Sequence, residues 1–571
     1  MAAKRCKHPA QVPALFSQAQ QQHQAGQLAA AEGLYRQVLA EQPGHAESLH
    51  WLGVLALQTG QLDRAVEMIG RAIAQRPDMA AYHSNLGLAL TALQRLEEAK
   101  ASFEIALRLQ PNTAETWCNL GIVLGKLQQH GPALDALGRA VALAPGRAEM
   151  HYNLAKVSAD FGRLEEAVAA YRQALALRAD YLEAHNNLGL LLGYLGKSEA
   201  AIACYRAALA QRPNHPAAHN NLGAALAEQG RLDEAATCYR RALALQPHHA
   251  EAHYNLGRVL LACGALEAGW AEFAWRWQTQ QLQPFARRFS APHWRGEAGD
   301  GRVLLIHAEQ GFGDTLQFCR YAPLAARRGW RVVMEVPGPL VRVVQTLAGV
   351  AAVMPRGAAL PHFDAHCPMM SLPMAMGTTL ENIPAATPYL SADAAQWRAR
   401  LAWLGCDTFR VGLVWAGGSR AEQPALAAVD RRRSLPPALL APLGRVADVQ
   451  LFSLQKAGAP APLHLIDFMG EMTDFADTAA LIMSLDLVIS VDTAVAHLAA
   501  ALGKPVWLLD RFDACWRWLT GRRDSPWYPT LRIYRQQHPG DWHAVIREVT
   551  RDLAALASAP STASGLSLAP V

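Results

Sequence analysis

Two stretches far apart in the chain each place a carboxylate where an apolar run gives way to a helical pattern. The first reads His307-Ala308-Glu309-Gln310-Gly311-Phe312-Gly313-Asp314. Gly311 and Gly313 permit a tight reversal and close backbone approach by a ligand. Asp314 then stands in the first turn of a helix, where it can accept a proton or simply cap the helix. No third glycine occurs at the spacing of a dinucleotide fingerprint. The second stretch, 486–505, holds Asp492, Thr493, Ala494 and His497. Its apolar run ends at Val491, so Asp492 and Thr493 open a helix whose free N–H groups suit a phosphate. The alternative is that Asp492 only caps and His497 only packs.

Further residues fit an anion site. Gly417 and Gly418, in Ala416-Gly417-Gly418-Ser419-Arg420, come after an apolar run and could approach a diphosphate. Arg432 and Arg433, in Asp430-Arg431-Arg432-Arg433-Ser434, are candidate cationic partners, unless the run is a solvated loop. Gln455 and Lys456 come directly after the run 449–454, at the edge where open α/β sheets bind ligands. The chain contains no D-x-D pair, so no metal site is expected and charge stabilisation falls to Arg, Lys and a helix end. No cofactor is expected.

These segments need a scaffold. VLLIHA (303–308), RVVMEV (331–336), VGLVWAG (411–417), VQLFSL (449–454), DLVISVD (486–492) and PVWLLD (505–510) alternate with helical patterns, which implies parallel sheets of βαβ units. The pattern divides into two lobes, 301–390 and 391–556, with a low-complexity tail at 557–571 expected to be disordered. Upstream the pattern is different. Asn85, Asn119, Asn153, Asn187, Asn221 and Asn255 recur every thirty-four residues, as do the turn prolines Pro43, Pro77, Pro111, Pro145, Pro213 and Pro247. A period of about 34 residues with a turn proline is the signature of stacked helical hairpins, the tetratricopeptide architecture. It predicts a solenoid over 12–279, about seven repeats and a partial one, after an N-terminal extension at 1–11. His83, His151, His185, His219 and His253 also recur with Trp117 in register, and packing is the favoured reading over metal binding. Trp270, Phe273 and Trp277 share a helical face suited to joining the solenoid to the α/β lobes, and 280–300 reads as a linker.

Composition is that of an ordinary soluble chain. At 571 residues, net charge +5 and 51% hydrophobic residues, it lacks the charge runs of a nucleic-acid binder. No secretory signal or apolar stretch of membrane-spanning length is seen. The nine cysteines form no C-x-x-C pair and read as reduced thiols of a cytoplasmic protein.

Segments 303–320 and 486–510 resemble the ADP-heptose:lipopolysaccharide heptosyltransferase family, two-lobed transferases of the GT-B fold. More specifically, Glu309-Gln310-Gly311-Phe312-Gly313-Asp314-Thr315-Leu316-Gln317-Phe318-Cys319-Arg320-Tyr321 and Asp524-Ser525-Pro526-Trp527-Tyr528-Pro529 look like bacterial tetratricopeptide glycosyltransferases. The resemblance implies an α-helical solenoid followed by a two-lobed α/β domain. It also implies a nucleotide-sugar donor held by Asp492, Thr493, Ala494 and His497, and Asp314 as base. The chain departs from the family at Ala494, where many heptosyltransferases have glycine, so a methyl lies beside the expected phosphate. The Asn ladder resembles the superhelix of protein O-GlcNAc transferase, implying that Asn85 to Asn255 grip a peptide acceptor; the alternative is hydrogen bonding between helices. The implied function is metal-independent sugar transfer to an acceptor, in the first instance protein, recruited by the solenoid. A non-catalytic adaptor, or a transferase for glycan or lipid-linked acceptors, stays open, as does self-association.

Overall fold

A computed structural model describes residues 11–404, 408–418, 424–456 and 458–558. The expected N-terminal extension (1–10 of it), nearly all of the tail, and Ser419 and Arg420 lie outside these residues. The chain divides into two compact units, Met1–Leu192 and Gly193–Val571, so the division falls inside the solenoid.

The repeats form helical hairpins. Helix A copies at Ala46–Gln58, Ala80–Ala92, Ala114–Lys126, Ala148–Asp160, Leu182–Tyr194, Pro216–Glu228 and Ala250–Ala262 alternate with helix B copies. These B helices run from Leu62–Gln75 to Leu232–Leu245, and a shorter Leu266–Phe273 closes the series. The pair Gln11–Gln24 and Leu28–Glu41 precedes them. A small residue is needed in helix A because helix B leaves little room: a Cβ on Gly87 would lie 2.7 Å from the Phe103 ring, and one on Gly223 2.8 Å from Tyr239, while Ala155 fills the place in one copy. The recurring ring at the fourth position of helix A has a uniform job. Nε2 of His83, His151, His185, His219 and His253 lies 2.8–3.0 Å from the carbonyl six residues earlier, and Trp117 Nε1 donates to the same place at 2.8 Å. Each ring thus ties helix A to the turn before it.

The Trp-rich end departs from the helical expectation. The α-helix stops at Phe273 and continues as a 3-10 segment, Ala274–Gln278, so Trp277 leaves the face of Trp270 and Phe273. Trp270 and Phe273 are buried as expected of a junction. The segment read as a linker adds structure of its own: Trp294 is fully buried and His293 bridges to His366.

Two parallel sheets complete the chain. The first orders its strands β3-β2-β1-β4, with β1 Val303–His307, β2 Arg331–Val336, β3 Val350–Pro355 and β4 Ala365–Pro368. The second is β10-β9-β8-β5-β6-β7, with β5 Phe409–Val414, β6 Val449–Ser453, β7 Ile466–Asp467, β8 Leu487–Val491, β9 Val506–Asp510 and β10 Leu531–Arg535. Strand order reverses between β1 and β4 and between β5 and β8. In open α/β sheets those switch points, at the carboxyl ends, are where ligands bind. One buried cluster runs through the closing helix of the solenoid (Trp270, Phe273), the first lobe (Leu316, Phe318) and the second (Leu498, Trp516, Trp518).

Candidate functional site

The two stretches with chemical potential lie at the two switch points and meet. The Phe312–Phe318 helix comes after β1 and the Ala494–Ala501 helix after β8, and the two pack together. Gly313 makes this possible, since a Cβ there would lie 2.9 Å from His497 Cδ2 and 3.7 Å from Ala494 Cα. The contact brings Gly311, Gly313, Asp314, Ala494 and His497 into one locality. One turn on from Gly313, the fully buried carboxamide of Gln317 finds no hydrogen-bond partner among the described residues.

Asp314 is a third-position helix residue, and its Oδ2 accepts the Gly311 N–H at 3.0 Å. Its Oδ1 is ion-paired with Arg517, a residue the sequence pattern did not single out. Burial works against the Arg517 charge, but Asp314, then Cys515 and Asp492, hold its pKa above the usual arginine range. Each carboxylate oxygen keeps a second lone pair, so the two bonds orient Asp314 without using up its acceptor capacity.

Thr493 is the N-cap of the Ala494–Ala501 helix and places no side chain on its N–H groups; its hydroxyl pairs with Ser490 at 2.9 Å. His497 is buried, its Nδ1 3.0 Å from the Tyr528 hydroxyl and its ring stacked on Trp518 at 4.9 Å. Burial lowers its pKa to about 3 although Asp492, 4.0 Å from Nε2, opposes this. The imidazole is therefore neutral near pH 7, a hydrogen-bonding group rather than a cation.

Across the β5/β8 crevice lies the Gly417–Gly418 turn. Arg433 spans it, with Nη1 3.5 Å from the Asp492 carbonyl, Nη2 3.4 Å from the Gly418 carbonyl and an ion pair to Asp430 at 2.8 Å. A Cβ on Gly417 would meet its guanidinium at 2.4 Å. Arg433 Nε has no hydrogen-bond partner among the described residues. The basic run is the last turn of a helix, Pro424–Arg433, not a loop, and its neighbouring arginines point elsewhere. Arg432 bridges Asp513 at 3.0 Å and Glu228 of the solenoid at 3.1 Å, and Arg431 donates to the Tyr194 carbonyl at 3.1 Å. Arg432 is thus removed from the donor candidates and becomes a docking residue. Gln455 accepts from the Trp415 and Ala416 N–H groups at 3.1 and 3.0 Å and donates to the Ala416 carbonyl at 3.0 Å, so it shapes the turn. Lys456 is exposed beside it.

Glu309 and the solenoid are joined directly. Buried Arg276 holds the Glu309 carboxylate through Nε at 2.7 Å and Nη2 at 2.9 Å, and Glu309 Oε1 also accepts the Met370 N–H at 2.8 Å. The Asn ladder runs along the solenoid, each member partly exposed. Asn85 pairs with His50 at 2.8 Å, Asn153 donates to Cys118 at 3.2 Å, Asn187 to Tyr152 at 3.2 Å and Asn255 to Asn220 at 3.1 Å, always thirty-five residues back. The ladder therefore does bond between helices; Asn119 and Asn221 occupy the equivalent places, and Asn221 Oδ1 accepts from Asn220 at 3.2 Å.

Among the described residues no group of three or more His, Cys, Asp or Glu has metal-site geometry, and no helix is long and apolar enough to cross a membrane.

Comparison with known proteins agrees with this layout. Tetratricopeptide-repeat models match residues 22–88, 78–146, 186–245 and 225–274, and a TPR-repeat model matches 159–196. The model of glycosyltransferase family 9 (heptosyltransferase) matches residues 462–509, which include Asp492, Thr493, Ala494 and His497. Protein FlbA of Caulobacter vibrioides is 28% identical over 331 residues, 52% of this chain and 54% of that protein; the chain thus spans about half the length of this relative. Among solved structures, MamA is 25% identical with a TM-score of 0.27, covering 29% of this chain and 97% of that one. YrrB, a tetratricopeptide-repeat protein, is 24% identical with a TM-score of 0.29, covering 33% and 96%. The chain is a tetratricopeptide solenoid continued by an α/β region with parallel sheets, in which residues 462–509 are similar to glycosyltransferase family 9 (heptosyltransferase).

Proposed function

We propose that the α/β region transfers a sugar from a nucleotide-sugar to a hydroxyl of a polypeptide held along the solenoid. The observation that carries this reading is the packing of the Phe312–Phe318 helix, which bears Asp314, against the Ala494–Ala501 helix at paired switch points, the second inside the segment similar to family 9. Asp314 takes the proton of the acceptor hydroxyl, whose oxygen attacks the anomeric carbon. The bond from that carbon to the diphosphate oxygen breaks, and its electron pair leaves with the nucleotide. A single displacement inverts the sugar carbon. Arg433, Lys456 and the helix start at Thr493 and Ala494 stabilise the leaving diphosphate, and neutral His497 hydrogen-bonds without adding charge. Because these groups supply the positive field, transfer proceeds without a divalent ion. The acceptor is recruited through the ladder Asn85, Asn119, Asn153, Asn187, Asn221 and Asn255, whose carboxamides are of the type that hydrogen-bonds to peptide amides.

The engagement of both Asp314 oxygens favours a second reading, a non-catalytic adaptor in which Asp314 only caps and pairs. One experiment separates the two. Purified protein is incubated with UDP-, GDP-, ADP- and CMP-sugars, with and without chelator and cell-derived protein acceptor, and free nucleotide is measured. Transfer predicts release with one donor class, indifferent to chelator, and a drop of about 10²–10⁴-fold in Asp314→Asn. Donor binding without release under every condition would favour the adaptor.

A further inference from the structure

Three consecutive residues of the loop after β9 reach three different parts of the molecule. Trp516 packs on Trp270 and Phe273 of the closing solenoid repeat, with ring centroids 5.3 and 5.7 Å away, and on Phe318 at 6.2 Å. Arg517 pairs with Asp314, and Trp518 stacks on His497 at 4.9 Å. The reason is local: Trp516–Trp518 is a 3-10 turn, and three residues per turn send successive side chains about 120° apart. Both flanks of the turn rest on the solenoid. Thr520 donates its N–H to the Ala262 carbonyl at 2.9 Å, and the Phe512 ring lies against Gly230. Leu519 has φ 49°, a left-handed backbone that a leucine adopts only under constraint. Its side chain lies beside Gly264 in the last A–B turn, where a Cβ would be 3.2 Å away.

We propose that the Trp516-Arg517-Trp518 turn is the device through which the last two solenoid repeats set the side chain of Asp314, with Arg517 as the positioning residue for that carboxylate. The proposal rests on the reading of Asp314 as the proton acceptor. Arg517 fixes one carboxylate oxygen, the Gly311 N–H fixes the other, and the remaining lone pairs are aimed by the two bonds together. Trp516 holds Arg517 in register, because its ring is seated in the aromatic cluster of the closing repeat. The same turn holds His497 through Trp518, so both lobes of the site take their alignment from one loop. The solenoid is then more than a tether for the acceptor: its closing repeat is part of what aligns the base.

The test uses the full chain with Arg517→Gln, Arg517→Lys, Trp516→Ala and Trp516→Phe, each measured by amide hydrogen exchange over residues 305–318 and by kcat and donor KM. Arg517→Gln and Trp516→Ala are expected to speed exchange at Gly311 to Thr315 about tenfold or more while the solenoid amides keep their protection. They are expected to lower kcat about 100-fold with donor KM nearly unchanged, as a misaligned base would. Arg517→Lys and Trp516→Phe should restore most of both. Exchange at 311–315 equal to wild type in Arg517→Gln or Trp516→Ala would overturn the proposal, as would a loss confined to donor KM. If exchange responds as expected while Asp314→Asn leaves release unchanged, the linkage stands and the reading of Asp314 as base falls, and with it the positioning role.

Discussion

Replacing Glu309 tests whether this motif residue serves chemistry or attachment. Its carboxylate and the Arg276 guanidinium are each 1% exposed and share two hydrogen bonds, and the Met370 N–H adds a third bond to the carboxylate. Glu309→Gln keeps the shape but removes the counter-charge of a buried guanidinium that is otherwise held by the Ser371 hydroxyl and the Phe273 and Trp277 rings. Arg276→Met strands a buried carboxylate. Removing one member of a buried pair costs about 3–5 kcal/mol, whereas replacing both members with neutral groups costs far less. Each single variant should therefore lose about a third or more of a typical unit's stability, and Arg276→Met/Glu309→Gln should recover at least half of that loss. Urea denaturation monitored by tryptophan fluorescence is the assay. Of the fifteen tryptophans only Trp51 and Trp117 lie before Leu192, so the signal reports the second unit. Single variants costing less than about 1 kcal/mol, or a double variant losing the full sum, would refute the argument, since both outcomes mean that the two charges do not depend on each other.

The same geometry carries other expectations. Gly313→Ala puts a methyl 2.9 Å from His497 Cδ2, and Tyr528 and Trp518 hold that ring in place, so a loss of about 1–3 kcal/mol is expected by thermal denaturation. Burial lowers both His497 and His307 to about 3. The unfolded chain binds those protons near pH 6.5, so their contribution is full above about pH 6.5 and falls with pH. By pH 5 the loss is about 2 kcal/mol for each histidine, to be read from urea midpoints across that range. Arg432→Ala should lower stability and leave nucleotide-sugar affinity within about twofold, because its partners are Glu228 and Asp513. Arg433→Ala should weaken donor binding by about tenfold or more in calorimetric titration.

The sequence disclosed most where the same physical demand recurs. Thirty-four-residue spacing shows the hairpins because the repeats share a small residue under helix B and, in six of them, a ring bonded to the preceding turn. Strands β1, β2, β5, β6, β8 and β9 stood out as apolar runs because their residues are mostly buried. Ala365–Pro368 carries His366 and Ile466–Asp467 is two residues long, so neither offers an apolar run to read, whereas Val350–Pro355 is an apolar run (VAAVMP) that the sequence reading passes over. Asp314, Asp492 and His497 drew notice because they stand where apolar runs give way to helical patterns, the strand ends at which open α/β sheets bind ligands. Arg517 and Arg276 did not, since 3-10 segments have no amphipathic period and their partners lie far along the chain. Arg432 misled because adjacent arginines at a helix end face different ways, and nothing in their order tells which one faces the crevice.

The chain's division inside its solenoid has its physical cause in that docking. Tyr194, Glu228 and Ala262 are one repeat apart, and each is the last residue of its helix A. They receive Arg431, Arg432 and Thr520 respectively. A solenoid presents the same backbone position at every repeat, so a helix end and one loop can attach to three successive repeats by the same edge. The earlier repeats cohere among themselves through nearest-neighbour packing, as repeat stacks do. Three repeat ends, two parallel sheets and the aromatic cluster from Trp270 to Trp516 therefore form one body. The site built on Asp314 and His497 belongs to that whole body, because Arg276 anchors the loop leading to Asp314 and Trp516 anchors the turn that orients it.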